Sequence, residues 1–410
     1  MSRTWRRPRA VPDDDDQKYR EFAGLTNTLS PKDFGFHALA VANNVIGTDS
    51  KRFVTRPGYA LFRAGAPTTA YVLGDNLYVV ESGALLRLAS ATDAHSLTTG
   101  LTGTSYSWDA INGKAYFVNG VNAGIVWNDN YQPLRVTAPA SLSITAPAAS
   151  LPSTVLNFGQ KYDTALWRFI ATYETADGRE SAPSEVVEVW ASPATPSFNA
   201  AVPVGYARTN VYCTEPDGTS FRLAGSTTGG AVTLVPAQAG RELTTFGTSP
   251  LPDGVDVIQY WGGSLYVSQY FAAENTSVIW HSKPFAFHLY DMAEDYIVVP
   301  GRVALMLWNN EGLLIGTTDS IYQYGDEGKL DIQVNYGVVP GCAGIVTPES
   351  IAYFWTTRGF CKAMPFENLT EKTVGMPPGL WANTSMVYLN GMQQLVTITQ
   401  GGGSPFNIRS

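Results

Sequence analysis

Charge is scarce in this chain: Asp, Glu, Lys and Arg together make up 15% of its 410 residues, where a soluble domain ordinarily carries about a quarter. That shortage removes the composition of a helical protein, which needs more Glu, Lys, Leu and Arg, and it points to a surface covered by neighbours and hence to an oligomer. Cysteine is nearly absent. Cys213, Cys342 and Cys361 form no CxxC pair and lie far apart, so a disulfide framework and a zinc pattern are both missing, and buried thiols made in a reducing cytoplasm are expected. Histidine is as sparse: His281 and His288 are seven positions apart, unlike the i, i+4 pair of a helical metal site, and with His37 and His95 they are expected to be structural. No metal and no cofactor is therefore expected.

Long apolar runs are missing too. The best candidate, residues 296–308, is broken by Pro300, Gly301 and Arg302, so no membrane insertion is expected. Arg3, Arg6, Arg7 and Arg9 have no apolar core behind them, so no secretory signal is expected and synthesis in a cytoplasm is. No GxSxG elbow appears, and Gly401, Gly402 and Gly403 lack the Lys-Ser/Thr of a phosphate-binding loop. A net charge of -8 argues against a tight grip on phosphates, yet an acidic wall would let nucleic acid slide past without sticking.

What is abundant is aromatic residues, 12% of the chain, together with 39 Gly and 25 Pro, the mixture of many short strands joined by tight turns. Three runs set the pattern: Gly74-Asp75-Asn76-Leu77-Tyr78-Val79-Val80, Asn112-Gly113-Lys114-Ala115-Tyr116-Phe117-Val118 and Trp261-Gly262-Gly263-Ser264-Leu265-Tyr266-Val267. Each is a hairpin turn feeding a half-buried strand. Weaker copies centre on Leu314, Tyr353 and Leu395. The steps are 38 positions from Tyr78 to Tyr116, 48 from Tyr266 to Leu314, 39 to Tyr353 and 42 to Leu395, close to the roughly 40 residues of a four-stranded propeller blade. The step from Tyr116 to Tyr266 is 150. Removing one blade of about 40 leaves about 110 residues, the size of a small sandwich domain. The expected fold is thus all-β, a β-propeller of about six blades with an inserted β-sandwich.

Along the chain, residues 1–23 pair the arginine cluster with Asp13, Asp14, Asp15 and Asp16 and read as a mobile or assembly arm. Residues 24–136 form the first propeller part, with turn signals at Ser30-Pro31 and Pro57-Gly58, a short helical turn expected in the Ala-rich stretch from Ala38 to Val45, and a strand from Arg52 to Thr55. Residues 137–152, rich in Ala, Ser, Pro and Thr, read as a linker. Residues 153–250 read as the inserted sandwich, with strands at Leu166–Thr175, Tyr206–Cys213 and Phe221–Ala224. Residues 251–410 complete the propeller, and Pro405–Ser410 are expected to close its ring.

The opening stretch, Gly24-Leu25-Thr26-Asn27-Thr28-Leu29-Ser30-Pro31 followed by Ala38-Leu39-Ala40-Val41-Ala42-Asn43-Asn44-Val45 and Arg56-Pro57-Gly58-Tyr59, resembles the start of podovirus-type phage tail proteins of the tail nozzle and packaged-DNA-stabilising family. The segments from Tyr173 to Ser184 and from Arg208 to Gly225 resemble the marks of a fibronectin type III sandwich of phage virion proteins. The resemblance implies a non-enzymatic virion protein, made in the host cytoplasm and assembled into a ring of six copies. Its implied partners are the head-tail adaptor or portal, tail fibre or spike proteins, and double-stranded DNA passing through without sequence-specific binding.

Two other functions compete. Propellers host glycoside hydrolases, which need two carboxylates or a tyrosine nucleophile in a funnel; the nearest sialidase-like box, from Ser107 through Asp109 to Gly113, has its glycine two positions late and does not recur. A glycan-binding adhesin is the other. Trp108, Trp127, Trp261, Trp308, Trp355 and Trp381 could stack on sugars, but recurring places in a blade assign them to the core between blades. No catalytic residue is assigned.

Overall fold

The structure, a computed structural model, describes residues 67–370 apart from 91, 141–142, 146–164, 192–196, 201, 216–217, 234–239, 326, 342–343 and 364, together with strand segments at 24–25, 38–39, 45–47, 53–55, 384–389 and 394–399. The described chain is all-β, with no helix among the described residues. Four-stranded antiparallel sheets recur in sequence order: sheet I in residues 69–98, sheet II in 107–133, sheet IV in 303–334 and sheet V in 344–368, each a simple meander. Sheet III is larger. Its strands Val255–Trp261, Ser264–Phe271 and Thr276–Lys283 run as a meander, and the last of them pairs with Ala286–Tyr290 at one end and Tyr296–Pro300 at the other. The hairpin of Thr384–Leu389 and Gln394–Thr399 follows.

The repeated run found in the sequence is the second strand of every one of these units. Tyr78, Tyr116, Tyr266, Leu314, Tyr353 and Leu395 all fall there. The turns before it need a left-handed backbone, which is why Asn-Gly and Gly-Gly recur: Asn112 and Gly113 have φ of 50° and 74°, Gly262 and Gly263 of 59° and 90°.

A four-stranded sheet cannot cover both its faces alone, so each packs on the next. Strands alternate their side chains between faces. In sheet III, Ile258 and Val267 join Tyr116, Val118 and Ile125 of sheet II, while Val257, Tyr266 and Ile279 join Met306, Leu313 and Ile315 of sheet IV. Tyr78, Val80 and Leu85 pack with Phe117 and Val126 between sheets I and II, and Leu314 and Ile321 with Phe354 and Cys361 between IV and V. The first strands adjoin along this series: Ser107–Ile111 lies beside Val255–Trp261, that beside Val303–Asn309, that beside Gly344–Val346, and that beside Thr384–Leu389.

Between sheets II and III the chain builds two further sheets, one of four strands ordered Val187–Ala191, Ala165–Glu174, Arg208–Cys213, Arg222–Thr227, and one of three, Ser143–Thr145, Ser197–Ala200, Gly230–Thr233. Ile170, Tyr212, Phe221 and Leu243 form a cluster of their own there. Two edges differ from the sequence reading. Ser143–Thr145, within the stretch read as a linker, pairs with Ser197–Ala200. Ser249–Pro250, read as the end of the insertion, pairs instead with Ala286–Tyr290 of sheet III. In the Ala-rich stretch, Ala38–Leu39 is not part of a helical turn: it pairs in parallel with Gly24–Leu25, because the extended pairing satisfies its backbone across chain segments. Phe53–Thr55 pairs with Val45–Gly47 as a hairpin. The arm of residues 1–23, the rest of the Ala-rich stretch and the segment 405–410 lie outside the described residues.

Gly124 shows how tight the packing is. A Cβ there would lie 2.5 Å from the Phe117 ring and 2.6 Å from that of Tyr131. Phe117 is itself fully buried, so Gly124→Ala is expected to destabilise the protein by about 1–3 kcal/mol through overpacking. Urea titration checks this, and an unchanged midpoint would show that the seam between sheets I and II yields freely.

Candidate functional site

The polar chemistry of the described chain gathers where the inserted sheets meet sheets II and III. Glu174 ends the strand Ala165–Glu174, and a tight turn brings Glu180 back beside it: Thr175 Oγ1 donates to Asp177 at 2.5 Å, and the backbone N–H of Arg179 donates to Thr175 Oγ1 at 3.0 Å. Ser181 and Ser184 continue the return, their hydroxyls accepting the N–H groups of Tyr173 at 2.9 Å and Ala171 at 3.1 Å. The Glu-Ser-Ala-Pro-Ser stretch from Glu180 to Ser184 therefore returns along that strand, with its serine side chains bonding the strand's backbone.

Arg208 meets Glu174 at 2.5 Å, Arg241 lies 3.5 Å from Glu174 and 3.2 Å from Glu180, and the Asn210 amide donates to both carboxylates, at 2.9 and 3.2 Å. Tyr212 and Thr172 donate their hydroxyls to Glu180 at 2.6 and 2.5 Å. The Arg208 hydrogen bond holds the Glu174 carboxyl below the usual range, while burial and the bond to Glu180 push Tyr212 up. With both carboxylates matched by arginines and neutral donors, the set is a balanced network.

The same turn grips the neighbouring sheets. Arg179 donates to the carbonyls of Pro133 at 3.0 Å and Leu134 at 3.3 Å and to the Gln132 side chain at 3.1 Å, with Asp177 holding its other edge at 2.9 Å. His288 of sheet III, kept neutral by burial, donates Nε2–H to the Glu180 carbonyl at 2.8 Å. Beside this joint, Gly120, Asn122, Tyr131, Arg135, Gly254 and Val255 line a groove of about 180 Å³, which the Arg135 and Asp253 ion pair borders.

A second constellation joins sheets II and III. The Ser107 hydroxyl and the Ile258 backbone exchange hydrogen bonds, and Asp109 accepts from the Tyr260 N–H, the Gln259 amide at 2.6 Å and the Ala110 N–H at 2.7 Å. The sialidase-like box thus stitches two sheets together. Burial pushes Asp109 up to about 6 although two backbone N–H groups favour its ionised form.

The remaining candidates do not converge. His95 is exposed, His281 lies 3.8 Å from Asp295, and no group of three metal-binding side chains occurs among the described residues. Cys213 and Cys361 are buried in different sheets. Trp108, Trp127, Trp261 and Trp355 pack on the clusters between sheets, whereas Trp308 is 38% exposed. His37, Cys342 and Trp381 lie outside the described residues. Sequence reasoning missed the Glu174, Glu180 and Arg241 set; the charge alternation from Glu174 to Glu180 was its only local signal.

No family model matches the sequence, and no curated protein matches it. Solved structures resemble it distantly. The extracellular domain of a putative hybrid two-component system from B. thetaiotaomicron has a TM-score of 0.32 at 11% identity, over 80% of this chain and 36% of that one. A protein from Lactobacillus plantarum has 0.32 at 12%, over 80% and 88%. Apo AztD from Citrobacter koseri has 0.27 at 13%, over 81% and 88%. The chain thus spans about a third of the first of these.

Glu180→Ala strips the acceptor from Tyr212 and Thr172 and leaves Arg241 with one carboxylate, so a loss of about 3 kcal/mol is expected in chemical denaturation. Asp109 gives a pH signature. Its folded value lies above the unfolded one, so its ionisation opposes folding: the penalty is absent below about pH 4 and grows to about 3 kcal/mol as pH rises past 6. The stability difference between wild type and Asp109→Asn should therefore shift toward the variant over that interval; a pH-independent difference would contradict the assignment.

Proposed function

We propose that this chain is a structural virion protein of a short-tailed phage, a non-enzymatic tail nozzle component that assembles as a ring below the portal and adaptor. In that place it walls part of the DNA channel, retains the packaged genome and anchors fibre or spike proteins. The fold proposed with it is a β-propeller of about six blades, namely sheets I to V and the hairpin of residues 384–399, carrying a fibronectin type III-like sandwich between its second and third blades.

The observation that carries the reading is the path of the chain between Leu134 and Leu251. These residues share one buried cluster between sheets II and III, although more than a hundred positions separate them and the intervening residues build sheets around another cluster. A repeat series interrupted in this way matches the layout that the opening motif and the repeat spacing imply. The low charge density and the formal charge of -8 support a mechanical role, since they suit a crowded assembly whose wall does not hold phosphate. Cyclic copies would meet through heterologous contacts that close on themselves.

Light scattering and negative-stain imaging of the full chain, alone and mixed with a short-tailed phage adaptor ring, test this. A hollow ring, formed alone or on the adaptor, is expected. A chain that ignores the adaptor and binds oligosaccharide, or one that releases reducing sugar until a single carboxylate is substituted, would overturn the proposal.

A further inference from the structure

The outermost strand of sheet III differs from those of sheets IV and V. Leu330–Val334 of sheet IV carries Asp331 paired with Lys329, and Glu367–Asn368 of sheet V carries Glu367 paired with Lys362. Charges of this kind keep an open edge from pairing with another chain. Tyr296–Pro300, with the sequence Tyr-Ile-Val-Val-Pro, carries none.

Its backbone is open at Val298, while the Tyr296 N–H donates to the Glu294 carbonyl at 3.1 Å and Pro300 has no N–H. His281 N–H bonds the Asp295 carbonyl at 3.0 Å and Gly301 N–H bonds the Asn275 carbonyl at 2.8 Å. By the alternation of an antiparallel ladder, Ile297 and Val299 then face Thr276–Lys283, and Val298 turns its N–H and C=O away from the sheet. No other strand pairs with that side among the described residues. The side chains follow the same alternation. Ile297 and Val299 are buried against sheet IV, while Tyr296 is 46% and Val298 50% exposed.

We infer that this edge pairs with the same edge of a second copy of this chain, antiparallel about a two-fold axis at Val298. In that register the Val298 residues of the two copies exchange both backbone hydrogen bonds, and Tyr296 lies opposite Pro300 of the second copy. The strand ends are then complementary in charge. The exposed Glu294 comes beside Arg302 of the second copy, and Arg302, half-exposed while one nitrogen holds Asp256 at 2.8 Å, has donors left for it. A register shifted by two residues loses both the reciprocal Val298 pair and the charge match, so the strand fits itself in one way. The contact is isologous, so it is separate from the heterologous contact a ring requires and does not rest on the proposed function. A single strand edge makes a small interface, and the resulting dimer is weak and concentration-dependent.

The test uses the full-length chain. Opposed residues of a hydrogen-bonded pair lie about 5.5 Å apart at Cα, within disulfide reach, so Val298→Cys is expected to give a covalent dimer under mild oxidation, whereas Ser96→Cys on the outer strand of sheet I gives none. Sedimentation should show wild-type dimers whose dissociation constant rises on the order of tenfold in Glu294→Arg, which sets like charges against each other at both ends. Val298→Pro, which removes the reciprocal donor, should sediment as a monomer with its melting temperature nearly unchanged. A failure of Val298→Cys to cross-link, or a wild-type association that Glu294→Arg and Val298→Pro leave intact, would overturn the inference.

Discussion

A small antiparallel sheet has two faces to cover and only its neighbours to cover them with, and this constraint organises the chain. Sheets II, III and IV each lend one face to the sheet before and one to the sheet after, and buried residues of the second strands, among them Tyr78, Tyr116, Tyr266, Leu314 and Phe354, lie at these contacts. The seams are not purely apolar. Ser107 and Asp109 bind sheet III from sheet II, and Ser277 takes the same part between sheets III and IV, its hydroxyl donating to the Gly301 carbonyl at 2.9 Å and accepting the Val303 N–H at 3.0 Å. A hydroxyl of this kind fixes the offset between two sheets that oily contact alone would let slide.

The inserted sheets obey another rule. Among the described residues, hydrogen bonds from them to sheets II and III gather on one turn, where Arg179 reaches three acceptors on residues 132–134 and the Glu180 carbonyl receives His288. Behind that turn the paired arginines and carboxylates cross-brace the strands Ala165–Glu174 and Arg208–Cys213. A planar guanidinium has several fixed donors, so one arginine can hold a joint in orientation as well as in place. Thr137 adds a further tie by donating its N–H to the Tyr206 hydroxyl at 2.9 Å.

Much of this order could be read from the residues, and the unread part has a physical reason. Asn112-Gly113 and Gly262-Gly263 announce a left-handed turn because few other pairs tolerate it, and the tyrosine four positions on announces the half-buried strand; both signals are local. The pairing of Ser143–Thr145 with Ser197–Ala200, or of Ser249–Pro250 with Ala286–Tyr290, depends on partners tens of residues away and on backbone groups that every residue shares. The carboxylate network was hidden for a related reason: Glu174, Arg208 and Arg241 come from three separate stretches and meet only after their strands align. Asp109 looked like part of an enzymatic box because its sequence neighbours alone were visible, whereas two of its three hydrogen-bond donors, Gln259 and Tyr260, lie 150 and 151 positions on.

The close approach of Leu134 and Leu251 has one further consequence. A segment whose two ends leave and return at neighbouring points imposes little on its host, because closing a longer or shorter excursion changes the chain entropy only logarithmically with length. Descendants of this gene could swap, shrink or enlarge that excursion while the host sheets kept their mutual spacing, so variation in length among kindred sequences should concentrate there.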